Sequence, residues 1–168
     1  MALEVREART PGEVAAAGRV TVAANAEFAP ADPDDAFVPT WRRYLVSMAD
    51  AAGRAGDGGT LLVAVEDGRV VGTVTLYLAD GSEQWRPGDA MFRFLAVAPA
   101  ARGRGVGRAL FEACLARARA AGKPRMALHT TEWMTAARAM YERAGFSREP
   151  EGDARLPGLH ILAYAADL

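Results

Sequence analysis

The sequence predicts a mixed α/β (α+β) domain, a central sheet with helices on both faces, and three observations carry that prediction. Two β-branched-rich runs, 61–65 and 70–78, flank Asp67-Gly68, a dipeptide suited to a tight hairpin turn, so these strands are antiparallel neighbours. A near-continuously apolar run at 91–98 reads as a strand covered on both sides. An amphipathic helix follows it, and then another strand at 126–130. A helix joining consecutive strands makes that pair parallel.

The remaining elements follow in order. Residues 3–8 alternate and form a first strand. Thr10-Pro11-Gly12-Glu13 offers a capping residue, proline at the first helical position and glutamate three residues on, so a helix starts there and runs to about Ala26. Residues 30–39 hold three prolines and three aspartates and read as a loop. Trp41, Tyr44, Leu45, Met48 and Ala52 fall on one stripe of a second helix, which ends in a glycine-rich connector at 53–59. Gly72, inside the second hairpin strand, marks a bulge or a close backbone approach. A polar loop with Trp85 occupies 79–90. The helix after the fourth strand covers 104–121 and stops at Gly122; a shorter one covers 135–144 and stops at Gly145. The tail carries strands at 146–149 and 159–165. Without repeats, linkers or low-complexity segments, residues 1–168 read as one domain.

Bulk properties narrow the function. The chain is 168 residues long, 51% hydrophobic and 24% charged, a globular profile with enough length for one core. A net charge of −1 draws the whole molecule to neither nucleic acid nor an anionic membrane. One cysteine, Cys114, excludes an internal disulfide and a cysteine-based metal site, and no metal is expected. Cys114 shares an apolar helix face with Leu110, Phe111, Leu115 and Ala118, as a buried thiol would. The first residues lack the apolar core of a signal peptide, and no apolar run reaches membrane-spanning length, so a cytoplasmic enzyme is expected.

Chemistry concentrates in Arg102-Gly103-Arg104-Gly105-Val106-Gly107-Arg108, between the fourth strand and its helix. Alternating glycines let backbone N–H groups approach a ligand, and a helix N-terminus behind them favours a phosphate or pyrophosphate. The stretch is not a P-loop, because no Lys-Ser or Lys-Thr follows. Nor does it have the spacing of a dinucleotide fingerprint, whose acidic residue would fall where the chain reads Lys123-Pro124-Arg125-Met126. The spacing that fits is Arg-x-x-Gly-x-Gly at Arg102, Gly105 and Gly107. It resembles the acetyl-CoA loop of the GCN5-related N-acetyltransferase (GNAT) family. Tyr141-Glu142-Arg143-Ala144-Gly145-Phe146 resembles the Tyr-x-x-x-Gly-Phe that closes that family's last helix, and the likeness covers roughly residues 91–148.

The resemblance implies a mostly antiparallel sheet whose parallel fourth and fifth strands splay apart. It implies acetyl-CoA as co-substrate and direct transfer of the acetyl group to a primary amine, either a small amine or a peptide N-terminus. Arg102, Gly103, Arg104, Gly105, Val106, Gly107 and Arg108 would hold the pyrophosphate. The backbone of Leu95, Ala96 and Val97 would pair with the pantetheine arm and polarise the thioester carbonyl. Tyr141 would protonate the departing thiolate.

Two positions depart from the pattern. Met134 stands where relatives carry an asparagine that bonds the cofactor arm, and Met91 where many carry a glutamate base. Asp89 lies in the adjoining loop. His129, on the fifth strand, is the titratable alternative, with His160 behind it; a water chain relaying the proton is the favoured mechanism. Arg93 must be paired or face a wet cleft, as an ion pair or as a ligand for an acidic group. Phe37, Trp41, Tyr44 and Trp85 are candidates for an acceptor wall. Neither nucleic acid nor membrane is an expected partner, and a homodimer is left open. The alternative reading is a non-catalytic CoA-binding module.

Overall fold

The structure, a computed structural model, describes residues 2–29, 35–79 and 86–168. Its strands are β1 (Glu4–Glu7), β2 (Gly59–Glu66), β3 (Arg69–Tyr77), β4 (Ala90–Val97), β5 (Arg125–Thr131), β6 (Ser147–Arg148), β7 (Ala154–Leu156) and β8 (Leu159–Asp167). Its helices are α1 (Pro11–Asn25), α2 (Phe37–Ala49), α3 (Ala51–Gly56), α4 (Val106–Ala120) and α5 (Thr135–Arg143). The strands form one sheet in the order β1-β2-β3-β4-β5-β8-β6, with β7 paired to β8 beside that path. Every pairing is antiparallel except β4 with β5.

Alternation along β2 sets the layers. Leu62 and Ala64 join a core with Leu110, Phe111 and Cys114 of α4. Leu61, Val63 and Val65, on the opposite face, pack with Ala17 of α1 and Ala51 of α3. Helices therefore cover both faces, as expected. Both expectations for Gly72 are met. The β2–β3 register shifts between Ala64 and Val65, and a Cβ on Gly72 would lie 2.8 Å from Val106 Cγ1 and 2.9 Å from Leu110 Cδ1. Only a glycine lets α4 lie this close to β3. Among the described residues, no helix is long and apolar enough to cross a membrane.

Thr10 caps α1 by accepting the Glu13 N–H at 3.2 Å. The Glu13 carboxylate, held down to about 2 by the Arg6 guanidinium, accepts the Arg9 N–H at 2.6 Å.

Strand ends shift by one or two residues from the sequence reading, and some elements differ more. The expected loop at 30–39 ends early, because α2 begins at Phe37 and Pro39 sits in its first turn, where a backbone N–H is not needed. The rest of that loop, residues 30–34, lies outside the described residues, as do 80–85 with Trp85. The glycine-rich connector at 53–59 contains α3, which takes Ala52 from the predicted stripe; Asp50 caps it by accepting the Gly53 N–H at 2.8 Å. α4 starts at Val106 rather than at 104, because Gly103 and Gly105 sit at φ 74° and 80°, outside right-handed helix. β7 was not foreseen; its three residues form a hairpin with β8.

Candidate active site

Geometry at the middle of β4 opens the sheet. β4 and β5 pair only at Ala90 with Met126, Met91 with Ala127 and Phe92 with Leu128. Beyond Phe92 they part. On its other side, Thr73 and Thr75 of β3 face Ala96 and Arg93, so β4 carries one extra residue in that interval. The bulge places Phe94 at φ 53°, in the left-handed region, at a cost of roughly 1–2 kcal/mol for a non-glycine residue. Its ring is well held. The guanidinium carbons of Arg54 and Arg93 lie 4.7 and 4.8 Å from the ring centroid, and Tyr44 meets it edge-on at 6.2 Å. Arg54 is itself buried. It donates to the Ser47 carbonyl, to Met48 O at 3.2 Å and to Thr75 Oγ1 at 3.1 Å, which ties the C-terminal end of α2 to β3.

Two adjoining spaces follow from the splay. A cleft of about 410 Å³ runs from the glycine loop along Leu95, Ala96 and Val97 to the start of α5. A smaller inner pocket of about 80 Å³ holds Phe92, His129, Thr130 and Tyr141. Asn25, Leu95 and Met134 line both and mark their junction.

At the outer end, the first bond reaching into α4 runs from Ala109 N–H to Gly105 O at 2.9 Å. The N–H groups of Val106, Gly107 and Arg108 thus lack helical partners, which is the condition for binding an anion at a helix N-terminus. A Cβ on Gly107 would stand 3.4 Å from Val97 Cγ2 and 3.7 Å from Leu95 Cδ2, over the floor of the cleft. The arginines turn elsewhere. Arg102 donates to Ala24 O at 3.0 Å and pairs with Glu27, fastening the end of α1 to the loop. Arg104 pairs with Glu66 at 2.7 Å, and Arg108 with Glu112 at 2.7 Å. Of the three arginines only Arg102 lines the cleft, so the charge of Arg104 and Arg108 lies beside it.

Tyr141 sits at the inner end, almost fully buried among Phe92, Phe111 and Phe146, at centroid distances of 5.9, 5.5 and 6.3 Å. Burial, with the nearby Cys114 adding to it, raises the phenol above its ordinary range, so the hydroxyl stays protonated at neutral pH. Cys114 is pushed up to about 12 by burial, as an inert structural thiol.

His129 lines the inner pocket, and its Nε2 lies 2.8 Å from Gly152 O. A carbonyl only accepts, so Nε2 carries the proton and Nδ1 is the basic nitrogen of the neutral ring. Met91 is fully buried where the β4–β5 pair is still closed. Asp89 is buried beside Arg125 at 3.4 Å, away from both spaces, and desolvation raises it. His160 lines neither space; it meets Asp153 at 3.2 Å. Arg93 and Tyr44 line the inner pocket, whereas Phe37 and Trp41 stack at 5.5 Å in a cluster with Leu159 and Ile161.

Three residues of the site region escaped the sequence reading: Phe94, Arg54 and Asn25. No local signal marks a left-handed phenylalanine, and Arg54 and Asn25 acquire their neighbours only through the fold.

A model of the acetyltransferase (GNAT) family matches residues 24–146. The chain belongs to that family. The enzyme class expected from the sequence, N-acetyltransferase, stands with it. The structure is similar to an acetyltransferase from Streptococcus agalactiae 2603 (22% identity, TM-score 0.72, covering 99% of this chain and 98% of that one). It is similar to the ribosomal-protein-alanine N-acetyltransferase from Brucella melitensis (23% identity, TM-score 0.67, 98% and 99% covered). It is also similar to the PaiA N-acetyltransferase from Thermoplasma acidophilum in complex with coenzyme A (15% identity, TM-score 0.71, 97% and 98% covered). At these identities the likeness is one of fold, and the splayed β4–β5 pair is the GNAT feature that the sequence implied. Among the described residues, no cluster of histidine, cysteine and carboxylate side chains is placed to hold a metal ion.

Proposed function

We propose that residues 1–168 form a single cytoplasmic catalytic domain that transfers acetyl from acetyl-CoA directly to a primary amine, a small molecule or a peptide N-terminus. One observation carries this reading: two adjoining spaces, sharing Asn25, Leu95 and Met134, lie between the unpartnered N–H groups at the start of α4 and the buried phenol of Tyr141. Residues at both ends and between them fit acetyl-CoA. The Val106, Gly107 and Arg108 N–H groups suit the pyrophosphate, and the apolar cleft walls suit the pantetheine arm. The splayed edge of β4 at Leu95, Ala96 and Val97 offers backbone groups to pair with that arm, with one N–H aimed at the thioester oxygen. Arg102 and Arg104, though paired with glutamates, add positive charge beside the loop.

In this mechanism the amine nitrogen attacks the thioester carbonyl carbon, the C–S bond breaks, and the thiolate takes the Tyr141 proton. The proton lost by the amine leaves through water and ultimately restores Tyr141, so donor and product balance. His129 Nδ1 is the alternative acceptor for that proton. Met91 cannot serve, being apolar and sealed within the closed part of the sheet.

The second reading, a non-catalytic CoA-binding module, takes its support from Met91 and is opposed by Tyr141. The test is free-thiol release from acetyl-CoA across a panel of small amines, amino acids and peptides, with mass analysis of each acceptor. Thiol release matched by acetylated amine is the expected result. Calorimetric binding of acetyl-CoA with no thiol release from any acceptor would overturn the catalytic reading.

A further inference from the structure

The junction of the cleft and the inner pocket is bounded by Leu95 on β4, Met134 before α5 and Asn25 at the end of α1. Asn25 is only 6% exposed, and its Nδ2 donates to Thr21 O at 2.8 Å. Because a carbonyl oxygen only accepts, this bond fixes which end of the amide is nitrogen and leaves Oδ1 as its acceptor. No group among the described residues bonds to that oxygen. Met134, opposite, contributes a thioether, and Leu95 contributes no polar side-chain atom. A ligand that fills the junction strips water from this acceptor, a loss that is matched when a ligand N–H reaches it.

We infer that Asn25 Oδ1 accepts the N–H of the pantetheine amide nearest the sulfur, and so sets the thioester in register with Tyr141. The inference rests on the acetyl-CoA reading above. Any extended ligand held at the start of α4 and reaching Tyr141 passes this junction. In the arm, that amide lies two carbons from the sulfur, so a sulfur beside Tyr141 places its N–H at the junction. An amide N–H drawn into an apolar cleft needs an acceptor, and among the described lining residues Asn25 supplies the only side-chain amide. The hydrogen bond that Met134 leaves unassigned is thereby provided from the opposite wall, by α1. Thr21 sets the angle of the amide, and Arg102, bonded to Ala24 O, holds the end of α1 against the loop.

A ligand–protein cycle tests this. Acetyl-CoA, and an analogue in which an ester oxygen replaces that amide N–H, are titrated calorimetrically into the wild type and into Asn25→Leu. The nucleotide half of CoA, without the arm, is titrated as a control. In the wild type the ester should bind about 5–50-fold more weakly than the amide. In Asn25→Leu the two should bind alike, while the nucleotide half binds both proteins equally. An equal penalty for the ester in both proteins would overturn the inference, since the N–H would then bond elsewhere. If Asn25→Leu does not fold, Asn25→Ala takes its place in the same cycle. A wild type that binds none of the three ligands would refute the acetyl-CoA reading itself, a different outcome from either.

Discussion

Gly107→Val separates fold from ligand binding more sharply than any other change in the glycine loop. Gly107 is a helical residue of α4 with no left-handed requirement, unlike Gly103 and Gly105. A Cβ there meets Val97 Cγ2 at 3.4 Å and Leu95 Cδ2 at 3.7 Å, which the fold accommodates with small shifts. Helix propensity slightly favours valine over glycine, by a few tenths of a kcal/mol, so stability should stay within about 1 kcal/mol of the wild type. The valine methyl groups would stand over the cleft floor, where they push a pyrophosphate off the N–H groups of the first turn. Each charge-assisted bond lost is worth about 1.5–3 kcal/mol. Losing two lowers CoA affinity by roughly 10²–10⁴-fold. The assay is calorimetry with CoA, paired with a thermal melt to certify the fold. Near-normal affinity in a folded Gly107→Val protein would refute the assignment of this loop. Gly105→Ala provides the contrast: its Cβ meets nothing within 4 Å, but its φ of 80° makes the substitution a stability cost of about 1 kcal/mol.

Other expectations follow from the same geometry. For His129→Ala, the water relay predicts that kcat/KM keeps rising with pH toward the acceptor amine's own pKa, with a rate within about tenfold of the wild type. Loss of an acid limb together with a fall of about 10²-fold or more would make His129 the base instead. Gly72→Ala should cost about 1–3 kcal/mol by thermal or urea unfolding, because its Cβ collides with Val106 and Leu110; an unchanged midpoint would show that α4 shifts freely on β3. Asp153 binds both Arg148 Nη atoms at 2.8 Å, the Ala163 N–H at 2.8 Å and His160 at 3.2 Å. Asp153→Ala should therefore cost about 2–4 kcal/mol. Arg148 holds this carboxylate down to about 2, below the unfolded value, so its stabilisation is complete above the ordinary carboxylate range and is lost as pH falls toward 2. The stability gap between the two proteins should accordingly be flat above roughly pH 5 and shrink below it; a gap that widens in acid would contradict the pairing.

What the sequence revealed depended on where each signal originates. The hairpin at Asp67-Gly68, the cap at Thr10 and the glycines of the loop are encoded in neighbouring residues, and each appears where read. Parallel pairing of β4 and β5 was legible because a helix must lie between them. The bulge at Phe94 was not, since a left-handed aromatic is stabilised by Arg54 and Tyr44, residues distant in the chain. Arg102, Arg104 and Arg108 were legible as charge but not as partners of Glu27, Glu66 and Glu112. Helix α3 was hidden by glycines that Asp50 overrides with a single cap. Asn25 looked like any polar residue ending a helix until the fold brought it opposite Met134.

The central claim is that Tyr141, buried at the inner end of the cleft, protonates the departing thiolate. Tyr141→Phe keeps the ring among Phe92, Phe111 and Phe146 and removes only the hydroxyl. The decisive measurement is kcat by thiol release for both proteins with one amine acceptor, alongside calorimetric affinity for acetyl-CoA. The account predicts a fall of about 10²–10⁴-fold in kcat with affinity little changed. Equal turnover by the two proteins would contradict it and return Tyr141 to a purely structural role.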